Sequence, residues 1–344
     1  QTNEVYQCLK LISRPGCEKI ARYAFDYARA NGRKKVSCFT KDNIMKLTDG
    51  LFHKVFDEVA KDYPEIATEH LIVDIGTARI ADNPSRFDVV LLPNLYGDII
   101  SDVAAELSGS VGIAGSANIG EHVAMFEAVH GSAPDIAGRD IANPSALLNA
   151  AVMMLVHVGQ REVAERVQNA WLRTIEDGCH TADIASAGTR ERCGTRQFAR
   201  EVIARLGKLP QQLPAAHFSG SLPPVRPAVD VHPAVKTTVG VDVFVHESDR
   251  KPEALAERLQ RVAGEGFELS MITNRGVKVW PQGLPETFCT DHWRARFKGK
   301  NGPVKHADIA ALLARVADAG IDFIKTENLC EFDGEAGYSL GQGQ

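Results

Sequence analysis

Asp88-Val-Val-Leu-Leu-Pro-Asn-Leu-Tyr-Gly-Asp-Ile-Ile-Ser-Asp102 is the stretch that decides how this chain reads. Asp88–Leu92 opens it as an apolar run of strand length, without the polar alternation of a half-solvated strand. Such runs suit a sheet covered on both faces. The sequence after Pro93 predicts a helix over Asp98–Leu107. Asp98 and Asp102 are four residues apart, so on that helix their carboxylates share one face. They fall just past a strand's carboxyl end, where open α/β sheets bind ligands.

Outward from this stretch the pattern alternates. Lys35–Thr40 and Leu71–Ile75 read as strands, and Glu18–Ala30, Leu51–Ala60, Ser145–Val158, Val163–Ile175 and Gln197–Leu206 as helices. That alternation indicates an α/β domain. Gly207–Lys236 carries six of the 16 prolines and reads as a semi-extended linker. Beyond it, a strand (Val239–Val245), a helix (Pro252–Ala263), a hairpin (Phe267–Ile272 with Val277–Trp280), a strand (Trp293–Phe297), a helix (Ala307–Ala317) and a strand (Ile321–Lys325) suggest a small βαββαβ-like α+β unit with one extra strand. The expected domains are therefore 1–206, a linker over 207–236, and 237–344.

Composition bounds the function classes. The chain has 344 residues, is 44% hydrophobic and 24% charged, and has a net charge of −5 without a long basic run, which argues against a nucleic-acid partner. No apolar run approaches the roughly 20 residues needed to span a bilayer. Seven scattered cysteines without a C-x-x-C pair suggest a reducing, cytoplasmic setting.

Three blocks can carry chemistry. Asp98 and Asp102, with Asp74 at the end of the run Leu71–Asp74, offer carboxylate oxygens of the kind that hold Mg²⁺ or Mn²⁺. On spacing alone, a capping aspartate and two solvated helix aspartates explain them better. Lys41, after a strand, is either a base with a lowered pKa or a solvated charge. His130-Gly-Ser-Ala-Pro-Asp-Ile-Ala-Gly138, followed by Asn143-Pro144, is either a surface loop or a small-residue loop that lets a ligand approach the backbone. No G-x-G-x-x-G follows a strand, so a Rossmann dinucleotide site has no support.

Taken jointly and in this order, the blocks resemble the metal-dependent decarboxylating dehydrogenases, the isocitrate/isopropylmalate dehydrogenase family, over roughly residues 1–206. The resemblance implies that family's α/β fold and a metal site of Asp74, Asp98 and Asp102, in which one aspartate comes from a partner subunit. It implies Lys41 as the catalytic lysine, also reaching across a homodimer, and Asn43 as a substrate or nicotinamide contact. It places the cofactor loop on His130, Gly131, Ser132, Ala133, Pro134, Asp135 and Ile136, with Asn143 after it. Asn43-Ile-Met-Lys46 with Leu47–Leu51 is similar to isocitrate dehydrogenases within the family. Val239–Val245, Ile272–Gly276 and Glu331–Gly334 resemble the extra C-terminal domain of Thermus-type bacterial enzymes.

The implied reaction is oxidation and decarboxylation of isocitrate to 2-oxoglutarate in the tricarboxylic acid cycle. Asp135-Ile136 replaces the Lys-Tyr pair of NADP-using relatives. Thr181–Ser186 lacks the tyrosine and arginine that grip the extra phosphate in some of them. Both features predict NAD. The catalytic tyrosine and the substrate-carboxylate ligands of the family are expected upstream of Gln1, and the 344-residue chain alone is expected to be inactive. A sister enzyme acting on 3-isopropylmalate, homoisocitrate or tartrate is the alternative. A non-catalytic regulatory subunit is disfavoured because Lys41 and all three aspartates are present. The C-terminal unit, with no catalytic constellation, is expected to support dimer contacts.

Overall fold

The computed structural model describes residues 1–220, 223 and 233–340. These form two compact units. One is residues 12–230, and the other joins residues 1–11 to residues 231–344. The first eleven residues, expected with the catalytic region, thus belong to the C-terminal unit.

In the larger unit the chain runs α1 (Arg14–Ala30), β1 (Lys35–Thr40), α2 (Thr48–Ala60), β2 (Ala67–Ile72), α3 (Val73–Asp82), β3 (Val89–Leu91), α4 (Asn94–Leu107), β4 (Gly115–Ile119), β5 (Ala124–Ala128), α5 (Ser145–His157), α6 (Arg161–Glu176), β6 (Cys179–His180), β7 (Glu191–Arg192) and α7 (Thr195–Ala204). The parallel strands β2-β1-β3 form a sheet with β1 in the middle. Apolar side chains of its central strand are buried on both faces, as expected for a covered sheet. Val36 and Cys38 pack with Phe25, Phe52, Val55 and Phe56 from α1 and α2, while Phe39 packs with Ile80 and Ile100 from α3 and α4.

One strand lies earlier in the chain than its sequence suggests, since β2 covers Ala67–Ile72 and shares only Leu71 and Ile72 with the expected strand. Leu71–Ile75 reads as strand, but β2 stops at Ile72 and Val73 opens α3, where the Thr77 hydroxyl donates to the Val73 carbonyl. Asp74 therefore stands in the first turn of a helix and not at a strand end. The antiparallel ribbon β4-β5 has no counterpart in the sequence reading. Cys179 and Cys193 are disulfide-bonded, a pairing that the scattered cysteines did not suggest.

Residues 221, 222 and 224–232, the middle of the expected linker, lie outside the described residues. Its leading part is not free chain. The Glu176 carboxylate accepts the backbone N–H groups of Gln211, Gln212 and Leu213, and Asn169 exchanges hydrogen bonds with the backbone of Ala216.

The smaller unit contains β8 (Lys236–His246), α8 (Pro252–Ala263), β9 (Phe267–Asn274), β10 (Val277–Trp280), β11 (His292–Gly299), α9 (His306–Asp318), β12 (Asp322–Phe332) and β13 (Glu335–Ala336). They make an antiparallel sheet ordered β10-β9-β11-β8-β12-β13, close to the expected βαββαβ plan with added strands. Val241, Val243 and Val245 alternate inward to meet Leu255, Leu259, Leu312 and Val316 of the helices. On the opposite face Asp242 is buried against Arg296 in a two-pronged ion pair at 2.8 Å. Arg296 also donates to the Ser339 carbonyl and lies over the Tyr338 ring. In the leading segment, Glu4 accepts from the Asp291 backbone and pairs with Arg250, and Thr2 donates to the Asp291 carboxylate. Among the described residues no helix is long and apolar enough to cross a membrane.

Candidate active site

The carboxyl ends of the three parallel strands gather the acid and base groups. Lys41 follows the last residue of β1, and its backbone N–H donates to the buried Asp49 carboxylate at 2.7 Å. That bond fixes the turn leaving the strand. The Lys41 ammonium lies 2.9 Å from Asp74, whose side chain is 68% exposed. The hydrogen bond from Lys41 holds the Asp74 carboxyl below its ordinary range. Parallel pairing explains the meeting, since Thr40 is in register with Ile72 and the chain leaves both strands side by side. Asn43 is exposed in the turn two residues on.

Asp98 and Asp102 lie one turn apart on α4, both exposed. Among the described residues neither carboxylate has a hydrogen-bond or ion-pair partner. Two uncompensated carboxylates on one face form an oxygen donor set that fits Mg²⁺ or Mn²⁺. Asp74 does not complete it within one chain. Among the described residues, the acid clusters whose donor atoms lie within 4.8 Å of one another do not include these three aspartates. Around them lie exposed apolar side chains, with Leu95 at 64% and Ile99 at 55% on the same helix.

The small-residue loop builds a cavity of about 890 Å³. His130, Gly131, Ser132, Ala133, Ile136 and Asn143 line it, while Pro134 and Asp135 do not. Ala133 adopts a left-handed conformation (φ 42°), and the 3₁₀ turn Pro134–Ile136 follows. Asp135 is exposed.

Sequence reasoning missed other residues of the wall, among them Ser110, Gly112, Asp183 and Arg196. Asp183 accepts from Ser110 at 2.6 Å, Asn143 at 2.9 Å and Thr181 at 2.6 Å. Burial raises its pKa, but these three donors outweigh it and bring the carboxyl below its usual range. Gly112 is required beside this network, because a Cβ there would come within 2.8 Å of the Asp183 carboxylate. The Arg196 backbone N–H is held by Asp140, but its exposed guanidinium has no partner among the described residues. These four come from three separate segments. Only the fold joins them, so no local motif announces them.

Residues 1–202 match the model of the isocitrate/isopropylmalate dehydrogenase family. The chain belongs to this family. Residues 236–344 match the bacterial isocitrate dehydrogenase C-terminal domain, so both sequence resemblances hold. A Rickettsia felis protein named isocitrate dehydrogenase [NADP] is 55% identical over 349 residues, covering 100% of this chain and 72% of that protein. The Thermus thermophilus protein of the same name is 43% identical over 349 residues, covering 100% of this chain and 70% of its own length. A crystal structure of the TT0538 protein from Thermus thermophilus superposes with a TM-score of 0.91 at 43% identity, over 100% of this chain and 70% of that one.

These relatives overturn the expectation of NAD, since both isocitrate dehydrogenases are named as NADP enzymes. The expectation of NAD rested on Asp135-Ile136 in place of Lys-Tyr and on the lack of tyrosine and arginine in Thr181–Ser186. Asp135 does not line the cavity, and the guanidinium that does, that of Arg196, belongs to neither segment.

Proposed function

We propose that this chain is the catalytic chain of a metal-dependent, NADP-linked isocitrate dehydrogenase that works as a homodimer with shared active sites. The observation that carries the reading is the split of the charged groups. Lys41 and Asp74 stand together, while Asp98 and Asp102 stand unpaired on another helix. A second copy that brings its Lys41–Asp74 pair to this copy's Asp98–Asp102 face would assemble three carboxylates and a lysine, and cover Leu95 and Ile99. Exposed apolar side chains clustered around functional charges are typical of such interfaces.

Asp98 and Asp102, with Asp74 of the second copy, would hold Mg²⁺ or Mn²⁺. A divalent ion there would supply positive charge to the hydroxyl and carboxylate of isocitrate, easing loss of the hydroxyl proton and, after CO₂ leaves, stabilising the developing enolate. Lys41 is the group that would accept the hydroxyl proton, and Asn43 would contact substrate or nicotinamide. The loop His130–Ile136 and Asn143 would shape the cofactor cavity. Asp183 would keep Asn143 and Ser110 oriented, and Arg196 would face the 2′-phosphate as a charge-assisted donor.

The test, made on the full-length protein, follows NADPH and NADH formation from isocitrate with Mg²⁺ or Mn²⁺, in parallel with 3-isopropylmalate and homoisocitrate. Isocitrate with NADP⁺ is the expected pair, and faster turnover of a sister acid would overturn the substrate. Asp98→Asn is expected to lower kcat/KM by a factor of about 100 or more, the scale of losing one electrostatic contact to the transition state, with an unchanged unfolding midpoint. Arg196→Gln is expected to raise KM for NADP⁺ by about 10- to 100-fold, the scale of a hydrogen bond between charged groups. An unchanged KM would remove Arg196 from the phosphate site.

A further inference from the structure

A second cluster lies behind the turn that carries Lys41, and the reaction proposed above does not use it. Asp42 comes from that turn, His53 from α2 and His70 from β2. All three side chains are half-buried, with 20%, 27% and 19% of their surface exposed. The Asp42 Oδ2 oxygen lies 2.7 Å from His53 Nδ1 and 3.7 Å from His70 Nε2. The two imidazoles stack face to face, with centroids 3.5 Å apart and planes 15° from parallel. The Thr40 hydroxyl is 2.8 Å from the same His70 Nε2.

We infer that Asp42, His53 and His70 form a binding site for a transition-metal dication of the Zn²⁺ or Co²⁺ type, separate from the carboxylate site for Mg²⁺ or Mn²⁺. Three features support this. First, an ion bound about 2.0–2.2 Å from each donor sets neighbouring donor atoms roughly 2.9–3.5 Å apart, depending on coordination geometry. The two separations from Asp42, 2.7 and 3.7 Å, bracket that range, and all three donor atoms lie within 4.8 Å of one another, so side-chain rotation alone can close the site.

Second, the donor set is two imidazole nitrogens and one carboxylate. It favours borderline metals over Mg²⁺, which prefers oxygen alone. Third, a supporting shell exists. Asp57 lies 3.5 Å from His53 Nε2. When Nδ1 turns to the metal, the proton moves to Nε2 and Asp57 accepts it, the outer-shell arrangement common to metal-bound histidines.

Ligation asks the two rings to tilt away from parallel, because each lone pair lies in its own ring plane. That rotation runs about a soft sp³–sp² torsion. Burial and the neighbouring His53 push His70 down against the pull of Asp42 and Asp57, which favours the neutral form that binds metal. The inference does not rest on the dehydrogenase reading.

The test uses the full chain, stripped of metal and dialysed against limiting Zn²⁺ with Mg²⁺ in large excess. One Zn²⁺ per chain is expected. His70→Gln and Asp42→Asn should each weaken binding by at least about tenfold, the scale of losing a ligand or its support, while Asp98→Asn leaves it unchanged. Co²⁺ in place of Zn²⁺ should give a visible absorption band of a nitrogen-ligated ion. Absence of Zn²⁺ binding, or binding undiminished in both variants, overturns the site. If either variant fails to fold, the unaltered chain decides the matter by NMR. Zn²⁺ must move the imidazole resonances of His53 and His70, and an ion that moves those of other histidines instead refutes the assignment.

Discussion

Two ion pairs of similar geometry occupy opposite environments. Lys41 and Asp74 meet at 2.9 Å with the carboxylate 68% exposed, whereas Arg296 and Asp242 meet at 2.8 Å with side chains only 1% and 3% exposed. The first pair, with Lys41 just past β1 and Asp74 in the first turn of α3, opens to solvent, and either member can exchange its partner for a substrate or an ion. The second is enclosed by the sheet, the Tyr338 ring and the Ser339 carbonyl, so neither charge can find water if the other is lost. Contact distance therefore says little about role. What surrounds the pair decides whether it holds the fold or stays available for chemistry.

The comparison can be broken most directly at the buried end. Arg296→Ala leaves enclosed Asp242 only the more distant Arg294, 3.8 Å away, and the expected loss in urea unfolding is about 3 kcal/mol, the low end for a broken buried pair. A loss below roughly 1 kcal/mol, the level of a surface pair, would show that water reaches Asp242 and that enclosure is not the difference.

Glu69 sharpens the comparison from the middle. Its carboxylate, 20% exposed, accepts from Arg86, Ser37 and Lys35. Burial pushes its pKa up, but these partners prevail and bring it from 4.5 down to about 2. A carboxyl depressed on folding adds stability that is complete above its unfolded value of 4.5 and drains away as pH falls toward about 2. After discounting for partial exposure, that contribution is about 2 kcal/mol. Glu69→Gln should lower stability by this amount at neutral pH and flatten its fall across the acid window. An unaltered acid limb in denaturant titrations would move the effect to another carboxylate.

At the exposed end the smallest change is expected. Asp74→Asn should leave the unfolding midpoint unchanged or lower it only slightly, as for a solvent-screened surface pair. Calorimetry showing a larger loss would mean that the pair supports the fold after all.

The sequence disclosed β3 through its unbroken apolar run, the acidic helix through the spacing of Asp98 and Asp102, and the cavity loop through its small residues. Three things stayed hidden for physical reasons. Val73-Asp74-Ile75 continues an apolar run, so nothing local marks the switch from β2 to α3. His53 and His70 become neighbours only because α2 and β2 lie side by side, and Asp183 reaches Ser110 across 73 residues. Arg196 stands at the head of α7 among ordinary surface residues, and only the cavity wall singles it out. Periodicity reports which face of an element is dry, but it carries no record of which distant segment covers it.

The short leading segment bears on how portable the C-terminal unit is. Residues 236–344 are what family resemblance would cut out as a module. Lifted out at that border, the piece would leave behind Glu4, which meets Arg250 and the Asp291 backbone, and Thr2, which meets the Asp291 carboxylate. What can be grafted onto another protein is a two-part object, and a graft of the longer part alone would carry an open seam along Arg250 and Asp291.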